Sequence, residues 1–290
     1  MLPLSWHRIL LYFNYMKFIF TKEMKKGDVM IKLIASDMDG TLLNGEGNLP
    51  KEFFHIFEEL KEKNIIFAVA SGRQYYNLVD NFQAIKNDIL FIAENGTYVM
   101  QQGKELYSSF LEPSIVKELI KEGRNTEGAE IVLCGKNAAY LENDKAEFIE
   151  EVKKYYARYE IVDNLLDVKD DILKFTLCDF KGAAENSHKI FLPLYKETLQ
   201  IAVSGHLWLD LVNNDVNKGA AIKSIQEKLN ISPEETMVFG DYFNDVEMLQ
   251  SAYYSYAMEN APDGVKKHAR FITKSNLDHG VLHTIKEMAL

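Results

Sequence analysis

Only two cysteines occur in the 290-residue chain, Cys134 and Cys178. No Cys-X-X-Cys pair or His/Cys cluster accompanies them, which excludes a zinc site of ordinary ligand spacing. Each lies in an apolar run, EIVLCG and KFTLCDF, so both are expected as buried strand thiols in a reducing cytoplasm rather than a disulfide or metal pair. Basic residues are in short supply, 33 Lys+Arg against 43 Asp+Glu, a formal charge of −10. A nucleic-acid binder needs a basic face, so that class is excluded. The same acidity poses a problem, because an anionic substrate should be repelled. There is no internal repeat and no low-complexity linker. With 47% hydrophobic residues, a disordered or fibrous chain is excluded as well. The length suffices for a sizeable core and about two domains.

A membrane-spanning run is also missing. Ile9–Phe20 is apolar and aromatic but too short to cross a bilayer, and Asn14 and Lys17 interrupt it. The TKEMKKGDVM that follows offers no signal-peptide cleavage site. Residues 1–29 hold five Lys/Arg against two acidic residues, a net +3 that leaves −13 for the remainder. They form an N-terminal extension unlike the rest. An over-long translation, with the native start at Met30 directly before the strand IKLIASD, is favoured over a peripheral basic–aromatic membrane helix. Membrane contact is not expected, and the location is read as cytoplasmic.

From Met30 the pattern alternates strand and helix. Ile31–Ser36, Ile65–Ala70, Ile89–Ala93 and Thr236–Phe239 are short continuous apolar runs, as in buried parallel strands. Asn48-Leu-Pro50 opens a helix whose apolar stripe is Phe53, Phe54, Ile56, Phe57 and Leu60. Another helix begins near Lys218, with Ala221, Ile222, Ile225 and Leu229 on one face. Ser232-Pro-Glu-Glu235 has the form of a capping box. Such alternation predicts an α/β fold, a Rossmann-like parallel sheet with helices on both faces. The middle differs: shorter strands at Glu130–Cys134, Ala138–Leu141, Lys174–Cys178 and Leu199–Val203 predict an inserted α+β domain with its own sheet. The expected division is a core of residues 30–112 and 214–290 with an insert of residues 113–213.

Four polar clusters recur at the ends of buried strands or the start of a helix: Asp37-Met-Asp39-Gly40-Thr41, Ser71-Gly72-Arg73, Asn217-Lys218-Gly219, and Gly240-Asp241-Tyr-Phe-Asn244-Asp245. In open parallel sheets ligands bind outside the carboxyl ends of the strands, so these clusters converge on one crevice. If strand geometry persists, Asp37 and Asp39 point to the same side. With Asp241 and Asp245 they make four acidic groups, which repel one another unless a cation or proton joins them. Oxygen ligands without His or Cys suit a hard cation, most naturally Mg²⁺. Gly40 permits a tight bend beside the pair. Lys218 adds positive charge to the positive end of its helix, an arrangement that an intervening anion relieves. Together the parts read as a phosphate held by Lys218, Ser71 and backbone N–H groups, with Mg²⁺ bridging it to carboxylates.

DMDGT, SGR, NKG and GDYFND resemble, in order, the four motifs of the haloacid dehalogenase superfamily. AENGTYV and the trailing YAMENAPDGVKKHARFITKSNLDHGV resemble its Cof-type phosphatase branch. The resemblance runs from about Met30 to the C-terminus. It implies Asp37 as nucleophile and Asp39 as general acid and then base. It implies Mg²⁺ on Asp37, the main-chain carbonyl of Asp39, and Asp241, with Asn244 and Asp245 completing or orienting that shell. Ser71 and Lys218 would bind the transferring phosphoryl group. A second aspartate suits phosphoryl transfer, since dehalogenation needs no acid for an alkoxide. Ser71 and Lys218 stand 147 residues apart, the position of a C2 cap in this superfamily. A cap of that size favours a small phosphomonoester. Sugar phosphates are the leading class, and family members also act on cofactors such as FMN or pyridoxal phosphate. The rival readings are a phosphotransferase or mutase on the same scaffold and an inactive ligand-binding regulator, which should lack one of Asp37, Asp39, Lys218 or Asp241; none is missing. Arg73 is expected at the substrate or in a surface ion pair, and His206 and Trp208 in packing.

Overall fold

The computed structural model describes residues 30–290; the readings made for residues 1–29 lie outside the described residues. Strands β1 (Leu33–Asp37), β2 (Ile66–Ala70) and β3 (Leu90–Ala93) are joined through helices α1 (Phe53–Glu62) and α2 (Tyr75–Asn81). A hairpin follows, β4 (Tyr98–Gln101) and β5 (Lys104–Ser108), then α3 (Pro113–Asn125). The middle of the chain contributes β6 (Ala129–Gly135), β7 (Ala139–Leu141), α4 (Ala146–Tyr155), β8 (Tyr159–Ile161), β9 (Ile172–Asp179), α5 (Ser187–Tyr195), β10 (Leu199–Val203) and β11 (Trp208–Asn213). The chain then returns through α6 (Lys218–Leu229), β12 (Thr236–Gly240), α7 (Val246–Gln250), β13 (Tyr254–Met258), α8 (Asp263–Lys266), β14 (Phe271–Thr273) and α9 (Gly280–Met288).

Two sheets result, an α/β core and a cap. The core sheet has eight strands in the order β14-β13-β12-β1-β2-β3-β4-β5 and the cap sheet six, β10-β11-β9-β6-β7-β8. Six core strands run parallel; β1, β2, β3 and β12 are the predicted apolar runs, whereas β13 and β14, and the antiparallel β4 and β5 that close one edge, are strands the sequence reading omits. Their turn carries Gln102 and Gly103 at positive φ. The cap sheet is antiparallel except for β7–β8, and β8 and β11 also go beyond the four strands expected there.

Alternation along the core strands splits their side chains between two apolar layers. Ile34, Phe67, Val69 and Phe239 face α1 and α9; Leu33, Ala35, Ala68 and Val238 face α6 and α7. On α1, Phe53, Ile56, Phe57 and Leu60 are buried at helical spacing, whereas Phe54 is partly exposed. Pro50 precedes that helix by three residues instead of opening it. The Ser232–Glu235 box closes as expected, with the Glu235 carboxylate accepting from the Ser232 N–H at 2.9 Å, but on a single 3₁₀ turn. Chain order places the site: β1 lies mid-sheet, the chain winds outward to β3, and it returns at β12 on the other flank of β1. The crevice at the carboxyl ends of β1 and β12 is therefore the switch point of the sheet.

Candidate active site

The four clusters meet at that crevice. Asp37 ends β1, Ser71 follows β2, and Asp241 follows β12. Lys218 is the first residue of α6, whose Asn217 cap accepts from the Ala220 N–H at 2.8 Å. A cavity of about 470 Å³ opens there, with Asp37, Asp39, Ser71, Arg73 and Asp241 in its wall.

Lys218 is wholly buried, and its Nζ donates to Asp37 Oδ1 at 2.5 Å and Asp245 Oδ1 at 2.7 Å. The other oxygen of Asp245 accepts the N–H groups of Asp241 and Tyr242 at 3.0 and 3.1 Å, so this buried carboxylate shapes the loop after β12. Asp241 in turn accepts from Thr41 Oγ1 at 2.7 Å, tying the loops after β1 and β12 together. They approach so closely that a Cβ on Gly40 would lie 2.4 Å from Asp241 Oδ2, and Gly40 has φ +82°. Asn260 secures the loop after β1 from outside, its side-chain N–H donating to the Gly40 carbonyl at 2.9 Å.

The strand geometry does not persist to Asp39. The chain leaves β1 through the tight loop at Gly40, and the exposed Asp39 carboxylate accepts from Arg73 Nε and Nη2 at 2.9 and 2.6 Å. Asp39 thus lines the same cavity as Asp37, but its side chain stands apart from the acidic group. Arg73 pairs with Asp39 within the cavity wall. Asp37, Asp241 and Asp245 each offer one oxygen, all within 4.8 Å of one another. Three carboxylates around one lysine leave a surplus of negative charge. Burial raises the Asp37 carboxyl well above the ordinary carboxylate range; Lys218 opposes the rise, while Asp245 and Asp241 add to it. Burial also raises Asp241. For Lys218, burial works to lower the pKa, but Asp245 and Asp37 outweigh it and hold the ammonium charged. An oxygen-only donor set with surplus negative charge fits a metal cation.

Ser71 is buried, and its Oγ accepts from the Arg73 N–H at 3.2 Å. Asn244 donates to Asn95 Oδ1 at 3.1 Å, linking the loops after β12 and β3. Gly72 packs against the same Asn95 side chain. Cys134 and Cys178 are free and buried on strands, as expected. Trp208 is buried, whereas His206, expected to pack, is exposed. Several wall residues go unnoticed in the sequence reading. Asn95 lies in AENGTYV, which the family resemblance already marks. Gln74 clamps the main chain of Arg158 in the cap with bonds of 2.8 and 3.0 Å. Lys174 and Asp210 come from cap strands and carry no local signature.

A doubly wound sheet with an inserted cap, and an acid cluster at its switch point facing a buried lysine, define a capped hydrolase on a Rossmann-like core. The chain belongs to the haloacid dehalogenase-like hydrolases, whose family model matches residues 34–285. It is 36% identical over 263 residues to the 5-amino-6-(5-phospho-D-ribitylamino)uracil phosphatase of Escherichia coli, covering 89% of this chain and 96% of the relative. A Bacillus subtilis phosphatase of the same name is 27% identical, covering 92% of this chain and 99% of the relative. Among solved structures, a Thermotoga maritima protein superposes with a TM-score of 0.82 at 25% identity, covering 90% of this chain and 98% of that one. The chain is thus a phosphatase of this family, a phosphoric monoester hydrolase. No helix among the described residues is long and apolar enough to cross a membrane.

Proposed function

We propose that the protein is a Mg²⁺-dependent cytoplasmic phosphatase of small phosphorylated metabolites, with residues 30–112 and 214–290 as its core and 113–213 as its cap. The contact that carries the reading is Lys218 Nζ on Asp37 Oδ1, a buried cation beside a carboxylate that faces the cavity. Asp37 attacks phosphorus, the bond to the leaving oxygen breaks, and Asp39 gives that oxygen its proton. Water then attacks the aspartyl-phosphate, Asp39 takes the water's proton, and the Asp37 carboxylate is restored. Ser71 and Lys218 hold the phosphoryl oxygens, and positioning with charge stabilisation supplies most of the acceleration. Asp37, the Asp39 carbonyl and Asp241 would hold Mg²⁺, with Asp245 and Asn244 orienting them. When bound, the ion neutralises charge on the phosphoryl group. This also answers the problem of the acidic chain: the carboxylates serve the metal, and the metal with Lys218 reverses the local sign.

Sugar phosphates are the leading substrate class. The two relatives named for a uracil bearing a phosphorylated ribityl chain make that compound the first to test. The test is phosphate release across a metabolite panel, with Asp37→Asn as the blank. Release that persists in EDTA and is not raised by Mg²⁺ sinks the metal assignment. Asp39→Asn is expected to lower kcat by about 10²–10⁴-fold, the usual weight of acid–base catalysis, while phosphate still binds as a competitive inhibitor. Normal turnover in that variant removes the acid–base role.

A further inference from the structure

Alternation puts Lys174, Thr176 and Cys178 on one face of β9, and the register with β11 sets Asp210 opposite Thr176 and Trp208 opposite Cys178. The other face, with Phe175, Leu177, Leu209 and Leu211, belongs to an apolar cluster. On the first face, Phe148 and Val152 of α4 cover the Cys178–Trp208 end. The Lys174–Asp210 end is left to the wall of the cavity that also holds Asp37. Lys174 and Asp210 side chains are only 5% and 13% exposed. A buried ion pair is weak support for stability, since apolar replacements are often as good or better. Phosphoryl transfer at Asp37 does not need them either.

Their geometry leaves bonding capacity for a ligand. Lys174 Nζ pairs with Glu94 Oε2 of the core at 2.7 Å but stands 3.7 Å from Asp210 Oδ1, beyond hydrogen-bond distance. Asp210 is fixed by Thr176 Oγ1 and Ser204 Oγ, each at 2.8 Å. One cation between two carboxylates carries a surplus negative charge. Hydroxyl groups satisfy such a pair, donating to Asp210 and accepting from Lys174, whereas a second anion meets repulsion.

We propose that Lys174 and Asp210 form the leaving-group subsite, that it reads a neutral, hydroxyl-rich chain, and that Asp210 rejects substrates with a second anionic group; the proposal rests on the phosphatase reading. The experiment measures kcat/KM for ribitol 5-phosphate, p-nitrophenyl phosphate, glucose 6-phosphate and glucose 1,6-bisphosphate. Lys174→Met is expected to lower the ratio of ribitol 5-phosphate to p-nitrophenyl phosphate by about tenfold, the weight of a lost charged hydrogen bond, mainly through KM. Asp210→Asn is expected to narrow the preference for the monophosphate over the bisphosphate by roughly threefold or more. Equal losses on both substrates in Lys174→Met, or an unchanged monophosphate preference in Asp210→Asn, overturn the proposal. A wild-type protein that releases no phosphate from any of the four, nor from the uracil with a phosphorylated ribityl chain, instead overturns the reading as a phosphatase of small metabolites.

Discussion

Asp37→Asn is expected to abolish phosphate release, with kcat/KM on p-nitrophenyl phosphate falling by on the order of 10⁴-fold or more, as for loss of a nucleophile elsewhere. The carboxamide keeps the shape of the side chain but cannot form the covalent ester. The loss should not reflect unfolding. Asp37 is one of three carboxylates grouped around Lys218. Removing its charge lessens the surplus while Lys218 keeps Asp245 as partner. Metal-free Asp37→Asn should therefore melt no lower than the metal-free wild type. The check pairs phosphate release with a thermal melt on the same samples. Activity within tenfold of wild type, with the melt unchanged, removes Asp37 from the nucleophile role. A collapsed melt shows instead that the carboxylate is needed to hold Lys218.

How far the sequence reaches can be seen at particular residues. β1, β2, β3 and β12 are legible because each is buried on both faces and so reads as an unbroken apolar run ending at a polar cluster. Lys218 as the first residue of α6 is legible from Asn217 before it and the apolar spacing after it. The hairpin β4–β5 is not, because no residue of β5 is fully buried and its KELYS has no alternating apolar pattern to count. Asp39 shows a different limit. Its spacing from Asp37 predicts a shared face, and both line one cavity, but β1 ends at Asp37 and the Asp39 carboxylate pairs with Arg73, a partner 34 positions away. Lys174 shows a third. All eight residues of β9 are buried, so nothing in ILKFTLCD marks the lysine as charged and enclosed. That depends on Glu94, brought beside it only by the docking of cap on core.

Lys218→Met should damage stability and catalysis together, which separates it from Asp37→Asn and Asp39→Asn. Lys218 is fully buried and bonded to two carboxylates, one of them, Asp245, itself fully buried. Methionine matches much of its volume but leaves Asp37, Asp241 and Asp245 without a counter-charge. Removing one partner of a buried pair costs roughly 3–5 kcal/mol, because the remaining charge is uncompensated. The midpoint of urea unfolding in EDTA should fall accordingly. Mg²⁺ at saturating concentration should recover part of the loss, since a ligand that binds only the folded state stabilises it by mass action. Turnover should not recover with it: the ion replaces the charge but not the donor, and loss of one positioned donor costs about 10²–10³-fold in kcat. An unfolding midpoint equal to that of wild type in EDTA would show that the acid cluster does not rely on Lys218. Recovery of turnover along with stability would confine Lys218 to a structural role and leave Ser71 as the phosphate ligand on which to centre the mechanism.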